Sequence, residues 1–173
     1  MKRHGSEVLL RAVAGVSALL ILAATPRASA TVPVSGAIFT TDSTCTSVNL
    51  NIYDQKGDVY LNGGPSHGGA AGLPDGSYYV QVTEPDGTIL GTSVGTATPT
   101  PVHVTDSEFD ACYQLAAILV RASDGAPGYD DTSNGGGEYK VWLSADATFQ
   151  QSSSKTDNFK VRGVTEQAGT VVI

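Results

Sequence analysis

The sequence has little charge and few aromatic side chains. Of its 173 residues, 16% are Asp, Glu, Lys or Arg and 7% are aromatic, and the 17 acidic residues outnumber the 10 basic ones. The formal net charge is -7, so phosphate backbones and anionic bilayers would be repelled rather than neutralised. We therefore expect neither nucleic acid nor an anionic membrane surface as a partner. A helix bundle is also disfavoured, because the 20 glycines and 8 prolines are typical of short strands separated by turns.

An apolar run long enough to span a membrane is absent. Residues 12–24 are mostly apolar, but a spanning helix needs roughly 20 such residues. This run follows Lys2, Arg3 and Arg11 and precedes the small-residue pattern Ala28-Ser29-Ala30, which is typical of a secretory signal peptide. We predict a signal peptide over residues 1–30, cleavage after Ala30 and no stable membrane insertion afterwards. The mature protein is expected to be secreted, in the extracellular space or the cell envelope.

Removal of this predicted signal peptide makes the chain strongly acidic. Residues 1–30 contain four basic residues and one acidic residue, so 6 basic and 16 acidic residues remain and the net charge becomes -10. Such a charge favours cations or neutral molecules as ligands.

Cysteine is scarce, since Cys45 and Cys112 are the only two in the sequence. An even number of cysteines in an oxidising compartment predicts one disulfide bond. A bond that closes so long a loop stabilises a protein by about 4 kcal/mol in the loop-closure model. Neither cysteine has a histidine at metal-ligand spacing, so a zinc or redox site is not expected.

Alternation of apolar and polar residues predicts strands along the mature chain, at 48–53, 78–83, 139–144 and 158–162. The residues predicted to face the core are Val48, Leu50, Ile52, Tyr78, Val80, Val82, Tyr139, Val141, Leu143, Phe159 and Val161. Residues 112–122 are nearly all apolar, which fits a strand covered on both faces or, alternatively, a buried helix.

These strands predict an all-β fold, a two-sheet antiparallel β-sandwich, built from residues 31–163. A Cys45–Cys112 bond would join its two halves, each of which would be only marginally stable alone. We expect residues 164–173 to form a C-terminal edge strand or a tail.

Two segments carry a family resemblance. Residues 48–57, VNLNIYDQKG, and 73–87, LPDGSYYVQVTEPDG, resemble the patterns V-x-L-x-x-x-D-x-x-G and L-P-x-G-x-Y-x-V-x-V. These patterns belong to the prealbumin-like modules of bacterial surface proteins, the Cna-B and SdrD B-type repeats. The resemblance implies a prealbumin-like or Ig-like sandwich of seven or more strands that spaces, stiffens or adheres, and it does not imply catalysis.

Many Cna-B modules also carry an isopeptide bond between a lysine and an asparagine, promoted by a buried acid. The only trio here that could match is Lys56, Asn158 and Glu84, and the position of the family's acid is occupied by Val82. We therefore expect these three side chains to be solvated rather than cross-linked.

An acidic loop is the strongest candidate for a metal site. Its oxygen-bearing side chains are those of Asp124, Asp130, Asp131, Asn134 and Glu138. Calcium prefers such ligands, and residues 130–135 match the first half of an EF-hand loop, although Val141 stands at the twelfth position. The two alternatives are a calcium site and a solvated hairpin loop. We expect no cofactor to be required, and calcium is the one candidate.

Three aromatic residues form a second candidate site. Tyr53, Tyr79 and Trp142 fall on the outward phase of their predicted strands, where they could stack against sugar rings. The alternative is that a second sheet covers them and that they pack in the core.

Motifs for catalysis are lacking. His67 and His103 are the only histidines after residue 30, and neither belongs to a G-x-S-x-G or H-E-x-x-H motif. We therefore expect a secreted, non-enzymatic module with a structural, spacer or adhesion role at the cell surface. Its partner would be an extracellular protein or polysaccharide. The alternatives are a carbohydrate-binding module and, third, a small secreted hydrolase.

Overall fold

The computed structural model describes residues 33–163. The predicted signal peptide and the predicted edge strand or tail at 164–173 lie outside the described residues. The elements are β1 (Ala37–Thr41), β2 (Ile52–Tyr53), β3 (Tyr60–Gly64), β4 (Gly76–Thr83), β5 (Ile89–Thr92), β6 (Val102–Thr105), β7 (Glu108–Phe109), β8 (Tyr113–Gln114), α1 (Leu115–Ile118), β9 (Val120–Arg121), β10 (Glu138–Ser144) and β11 (Ser154–Val161). Single 3₁₀ turns cover Lys56–Asp58 and Gln151–Ser153. Over this range no helix combines the length and the apolar character of a transmembrane span.

The strands form two sheets, in agreement with the predicted all-β class. The small sheet has the order β1-β3-β8, and the large sheet has the order β2-β11-β10-β4-β5-β9. Strands β6 and β7 extend the large sheet from the first half of β4. Strand β10 lies centrally and pairs antiparallel with β11 and with β4, whereas β2 runs parallel to β11 at the edge. One hydrophobic core contains residues of both sheets, so the fold is β-sandwich-like.

The core confirms the predicted phase of three strands. Alternate residues of β4, β10 and β11 are buried, as their period of two requires. The buried residues are Tyr78, Val80, Val82, Tyr139, Val141, Leu143, Phe159 and Val161.

Phe159 is the centre of an aromatic cluster within this core. Its ring stacks on Tyr139 with the centroids 5.1 Å apart, and it meets Tyr53 and Tyr129 edge-on at 6.3 and 6.2 Å. Stacked and edge-to-face arrangements of this kind add stability beyond the burial of apolar area. The cluster joins β2, β10, β11 and the loop before β10.

The predicted strand at 48–53 is wrong in both length and phase. Val48, Leu50 and Ile52 are 60%, 42% and 48% exposed, whereas Tyr53 is only 4% exposed. The reason lies in Asn49 and Asn51, whose φ angles of 54° and 59° fall in the left-handed region. Such residues interrupt the extended backbone, so alternation in the sequence no longer corresponds to alternate faces of a sheet.

We expect the exposed position of Ile52 to be reflected in the free energy of unfolding of its alanine variant. Ile52→Ala should change the free energy of unfolding by no more than about 0.5 kcal/mol, as at an ordinary surface position. Leu143→Ala, at a fully buried position, should cost about 2–5 kcal/mol because it leaves a cavity. Urea denaturation of the two variants gives both values. If Ile52→Ala cost as much as Leu143→Ala, Ile52 would be buried, as the alternation in the sequence predicts, and its exposed position would be contradicted.

The prediction for residues 112–122 is also wrong, because the segment is neither one strand nor one buried helix. Strand β8 belongs to the small sheet and β9 to the large sheet, and the short helix α1 connects them. Leu115 and Leu119, four residues apart, both enter the core. These two leucines are the buried residues of the run, at the place where it passes from one sheet to the other.

The predicted disulfide is present. Cys45 and Cys112 are bonded, and their Cα atoms are 6.0 Å apart. Both residues are partly buried. The bond fixes the irregular segment after β1 to the residue that precedes β8.

Candidate functional site

The outer face of the large sheet brings two of the three predicted platform aromatics together. Trp142 on β10 lies directly opposite Gln81 on β4, and Tyr79 on β4 lies opposite Ser144. Tyr79 and Trp142 are therefore diagonal cross-strand neighbours, a relation that places residues about 7–8 Å apart, within reach of aromatic side chains. Both are half-buried. The residues that alternate with them, Val80, Val141 and Leu143, face the core.

The indole of Trp142 is held in place by its neighbours. Its Nε1 donates a hydrogen bond to the hydroxyl of Thr83 at 3.1 Å. The ammonium of Lys140 lies 4.8 Å from the centroid of the ring, in a cation–π contact. The ring thus has a fixed edge, and one of its faces is next to a long, flexible side chain.

Tyr53, the third predicted platform residue, is not on this face. It is buried, and its ring packs edge-on against Phe159. Burial raises the pKa of its phenol. The predicted outward orientation of Tyr53 is wrong, because the left-handed backbone at Asn49 and Asn51 interrupts the alternation of faces. The residue belongs to the aromatic cluster of the core.

A groove of about 410 Å³ lies at the start of β10, and neither Tyr79 nor Trp142 lines it. Asn158 on β11, which is directly opposite Lys140, lines the groove together with Ile52 on β2. Glu138 and Lys160 also line it and form an ion pair across β10 and β11 at 2.9 Å. The groove therefore offers an amide, one paired charge of each sign and an aliphatic side chain.

The five candidate ligand side chains of the acidic loop each contact a different partner. These are Arg121 for Asp124 (Nε to Oδ1, 2.9 Å), the Ser123 amide for Asp130 (2.9 Å), Lys56 for Asp131 (2.6 Å), the Gly136 amide for Asn134 (2.8 Å) and Lys160 for Glu138 (2.9 Å). The pKa of the Asp124 carboxyl is lowered, mainly by a hydrogen bond from the Ala126 amide and to a smaller extent by the contact with Arg121. Within residues 33–163, no three or more His, Cys, Asp or Glu side chains are grouped so that they could hold a metal ion. Each of these five side chains already takes part in a hydrogen bond or an ion pair.

Lys56 has partners that lie far from it in the sequence. Its ammonium contacts Asp131 at 2.6 Å, donates to the carbonyl of Tyr129 at 2.8 Å and lies 5.2 Å from the centroid of that ring. Glu84 instead accepts a hydrogen bond from the amide of Ser133 at 2.8 Å. Lys56 and Glu84, which the family resemblance would place in one isopeptide site, thus have different partners.

A Ser–His contact that the sequence did not reveal lies on β4 and β6. Ser77 and His103 are opposite each other in the ladder, and Ser77 Oγ is 2.8 Å from His103 Nδ1. Both residues are exposed. Among the described residues no acid bonds to the other ring nitrogen of His103, the partner that would orient the ring in a Ser-His-Asp triad. The contact depends on the pairing of β4 with β6, for which the sequence carries no motif.

Tyr139, which is buried, and Tyr113, which is half-buried, have phenols with raised pKa values, from which we expect stability to depend on pH in the alkaline range. Burial raises the pKa of Tyr139 to about 12, and burial together with the hydrogen bond to Asp110 raises the pKa of Tyr113 to about 12. These folded-state values lie above the unfolded value of about 10, so the stabilising contribution is complete below that pH.

We expect the free energy of unfolding to fall as the pH rises from about 10 through about 12, because the unfolded state then releases more protons than the folded state. Urea denaturation over this range measures the loss, and Tyr139→Phe should make the fall less steep. A stability that is unchanged over the range, with tyrosinate absorbance appearing equally in folded and unfolded protein, would contradict the expectation.

No family model, no curated protein and no solved structure matches this chain. Any function proposed for it therefore depends on the geometry of its own residues, of which the outer face of the large sheet provides the best-defined site.

Proposed function

We propose that the chain is a secreted, non-enzymatic β-sandwich module of the prealbumin-like or Ig-like kind, and that it binds a neutral polysaccharide on the outer face of its large sheet. The observation that carries this proposal is the placement of Trp142 beside Tyr79 on that face, with both rings accessible in part. Rings on a rigid sheet present flat apolar surfaces against which the apolar faces of sugars can stack. The proposal requires no cofactor.

The polar neighbours of the rings suit a ligand that is rich in hydroxyl groups. Gln81 lies opposite Trp142, and Asn158 lies opposite Lys140. Each carboxamide supplies both a donor and an acceptor, as sugar hydroxyls require. Lys140 can move away from the indole to admit a ring, because its flexible stem carries the ammonium on several rotatable bonds.

Charge favours a neutral ligand over an anionic one. The chain from residue 31 carries 16 acidic and 6 basic residues, so a polyanion would be repelled. In the groove, the charges of Glu138 and Lys160 neutralise each other at 2.9 Å. Positions 138 to 142 span about 13 Å along β10, which gives the face room for more than one linked sugar.

We expect Trp142→Ala to abolish retention on the polysaccharide. Electrophoresis through gels that contain a soluble glucan, mannan or xylan measures the retention. The variant should bind at least about tenfold more weakly, a loss of ~1.4 kcal/mol, because the stacking surface is removed. Its unfolding transition should remain cooperative, since the side chain lies outside the core.

Tyr60→Ala is the matched control, because Tyr60 is a half-buried aromatic residue of the small sheet. It should leave retention unchanged. Equal retention of the wild type and Trp142→Ala, or no retention of the wild type in any of the gels, would refute polysaccharide binding at this face.

A second candidate role is adhesion to an extracellular protein. Val48, Leu50 and Ile52 lie on the surface, and Cys45 ties their segment to Cys112. A contiguous exposed apolar patch is typical of protein contact sites, and these three side chains are the exposed aliphatic residues of this segment. A structural or spacer role at the cell surface is compatible with either kind of binding.

A further inference from the structure

The loop before β10 contains an Asn134-Gly135 pair, of which Asn134 is half-buried. Gly135 is exposed, and a Cβ added there would meet no atom within 4 Å. Its amide donates no hydrogen bond to any of residues 33–163, whereas the amides of Gly136 and Gly137 are both bonded to Asn134. The nitrogen that follows Asn134 in the chain is therefore free to react.

The side chain of Asn134 is held against the backbone that follows it. Its Oδ1 accepts a hydrogen bond from the Gly136 amide at 2.8 Å, and its backbone carbonyl accepts one from the Gly137 amide at 2.9 Å. The carboxamide thus folds back along the chain past Gly135. A hydrogen bond to Oδ1 also draws electron density from Cγ, which makes that carbon a better electrophile.

We propose that Asn134 is a site of spontaneous deamidation in the folded protein, independent of polysaccharide binding. The Gly135 nitrogen loses its proton to hydroxide and attacks Cγ of Asn134. The new N–Cγ bond closes a five-membered imide, the Cγ–Nδ2 bond breaks, and Nδ2 takes up a proton and leaves as ammonia. One water then opens the imide at either carbonyl and gives aspartate or isoaspartate. One water is consumed and one ammonia is released, with no change of oxidation state.

Asn62-Gly63, a second pair of the same composition, serves as an internal control. Gly63 is buried in β3 opposite Ile38, and its amide donates to Asn62 Oδ1 at 2.8 Å. A Cβ at Gly63 would lie 2.7 Å from the ring of Phe109 and 2.9 Å from the carbonyl oxygen of Ala37. The backbone there cannot rotate to close the imide unless β3 leaves its neighbours. The fold therefore separates a reactive pair from a protected one.

Deamidation changes both the charge and the connections of the loop. It adds a carboxylate to a segment that already contains Asp130, Asp131 and Glu138. Isoaspartate also lengthens the backbone by one carbon, next to Ser133 and its hydrogen bonds to Glu84. The product is expected to hold this loop less firmly against the end of β4.

Incubation of the folded protein at mildly alkaline pH, followed by peptide mass spectrometry, tests the proposal. The peptide that contains Asn134 should gain the mass difference between an amide and an acid, and part of the product should be isoaspartate. The peptide that contains Asn62 should remain unchanged. Mildly acidic pH should slow the reaction, because fewer backbone amides are then deprotonated.

Two variants and a denatured sample complete the test. Gly135→Ala, which has space for its methyl group, should slow the reaction severalfold, and Asn134→Gln should prevent it under the same conditions. In urea, Asn62 and Asn134 should react at similar rates. An Asn134 that stays intact in the folded protein while it reacts in urea would overturn the proposal, as would equal rates at Asn62 and Asn134 in the folded protein.

Discussion

Replacing Cys45 and Cys112 together by serine will lower the free energy of unfolding by about 4 kcal/mol, the loop-closure value for a bond across so long a segment. The loss is expected to be large because of the chain that the bond restrains. Cys45, Asn49 and Asn51 all have φ between 52° and 59°. Residues other than glycine adopt this left-handed backbone conformation at a cost in free energy. With the bond removed, less holds this segment in place.

Urea denaturation with and without a reductant measures this effect. The wild type in reductant should fall to the stability of the serine variant, and the variant itself should not respond to reductant. A serine variant as stable as the oxidised wild type would show that the bond contributes nothing to the fold.

Phe159→Ala will destabilise the protein by about 3–5 kcal/mol, the usual cost of truncating a buried phenylalanine. Phe159 is 1% exposed and contacts the rings of Tyr53, Tyr129 and Tyr139. Its loss leaves a cavity at the point where these rings meet. Because small domains are stable by only about 5–15 kcal/mol, much of the stability would be lost.

Asn158→Ala is the matched control. Asn158 precedes Phe159 in β11 and is exposed on the face of the strand that points away from the core. Its effect should stay within about 0.5 kcal/mol. Near-UV circular dichroism should weaken in Phe159→Ala, because the tyrosines lose their fixed surroundings. A cost below about 1 kcal/mol for Phe159→Ala would contradict the central position of this ring.

The strands that the sequence predicted well are those whose backbone is regular. In β4, β10 and β11 the period of two maps directly onto buried and exposed faces, so Val80, Val141 and Phe159 are in the core as expected. Residues 48–53 have the same pattern but contain Asn49 and Asn51 in the left-handed conformation. A pattern of side chains does not carry that information about the backbone.

The sequence also could not predict which residues that are distant in the chain contact each other in the fold. Two of the three platform aromatics lie together because β4 pairs with β10, and the third is excluded because its strand has the opposite phase. The acidic loop has no Lys or Arg between Arg121 and Lys140, and in the fold Lys56 and Lys160 contact it from elsewhere in the chain. The contact of Ser77 with His103 likewise exists only once two strands have paired.

The fluorescence of Trp142 tests polysaccharide binding most directly, because it is the only tryptophan in the sequence. Titration with a soluble neutral polysaccharide that retains the protein should change the intensity and wavelength of its emission, and the change should reach saturation. The midpoint should agree with the affinity from gel retardation. Retention of the protein with no change in the emission of Trp142 would contradict the account, because the ligand would then be bound away from the outer face of the large sheet.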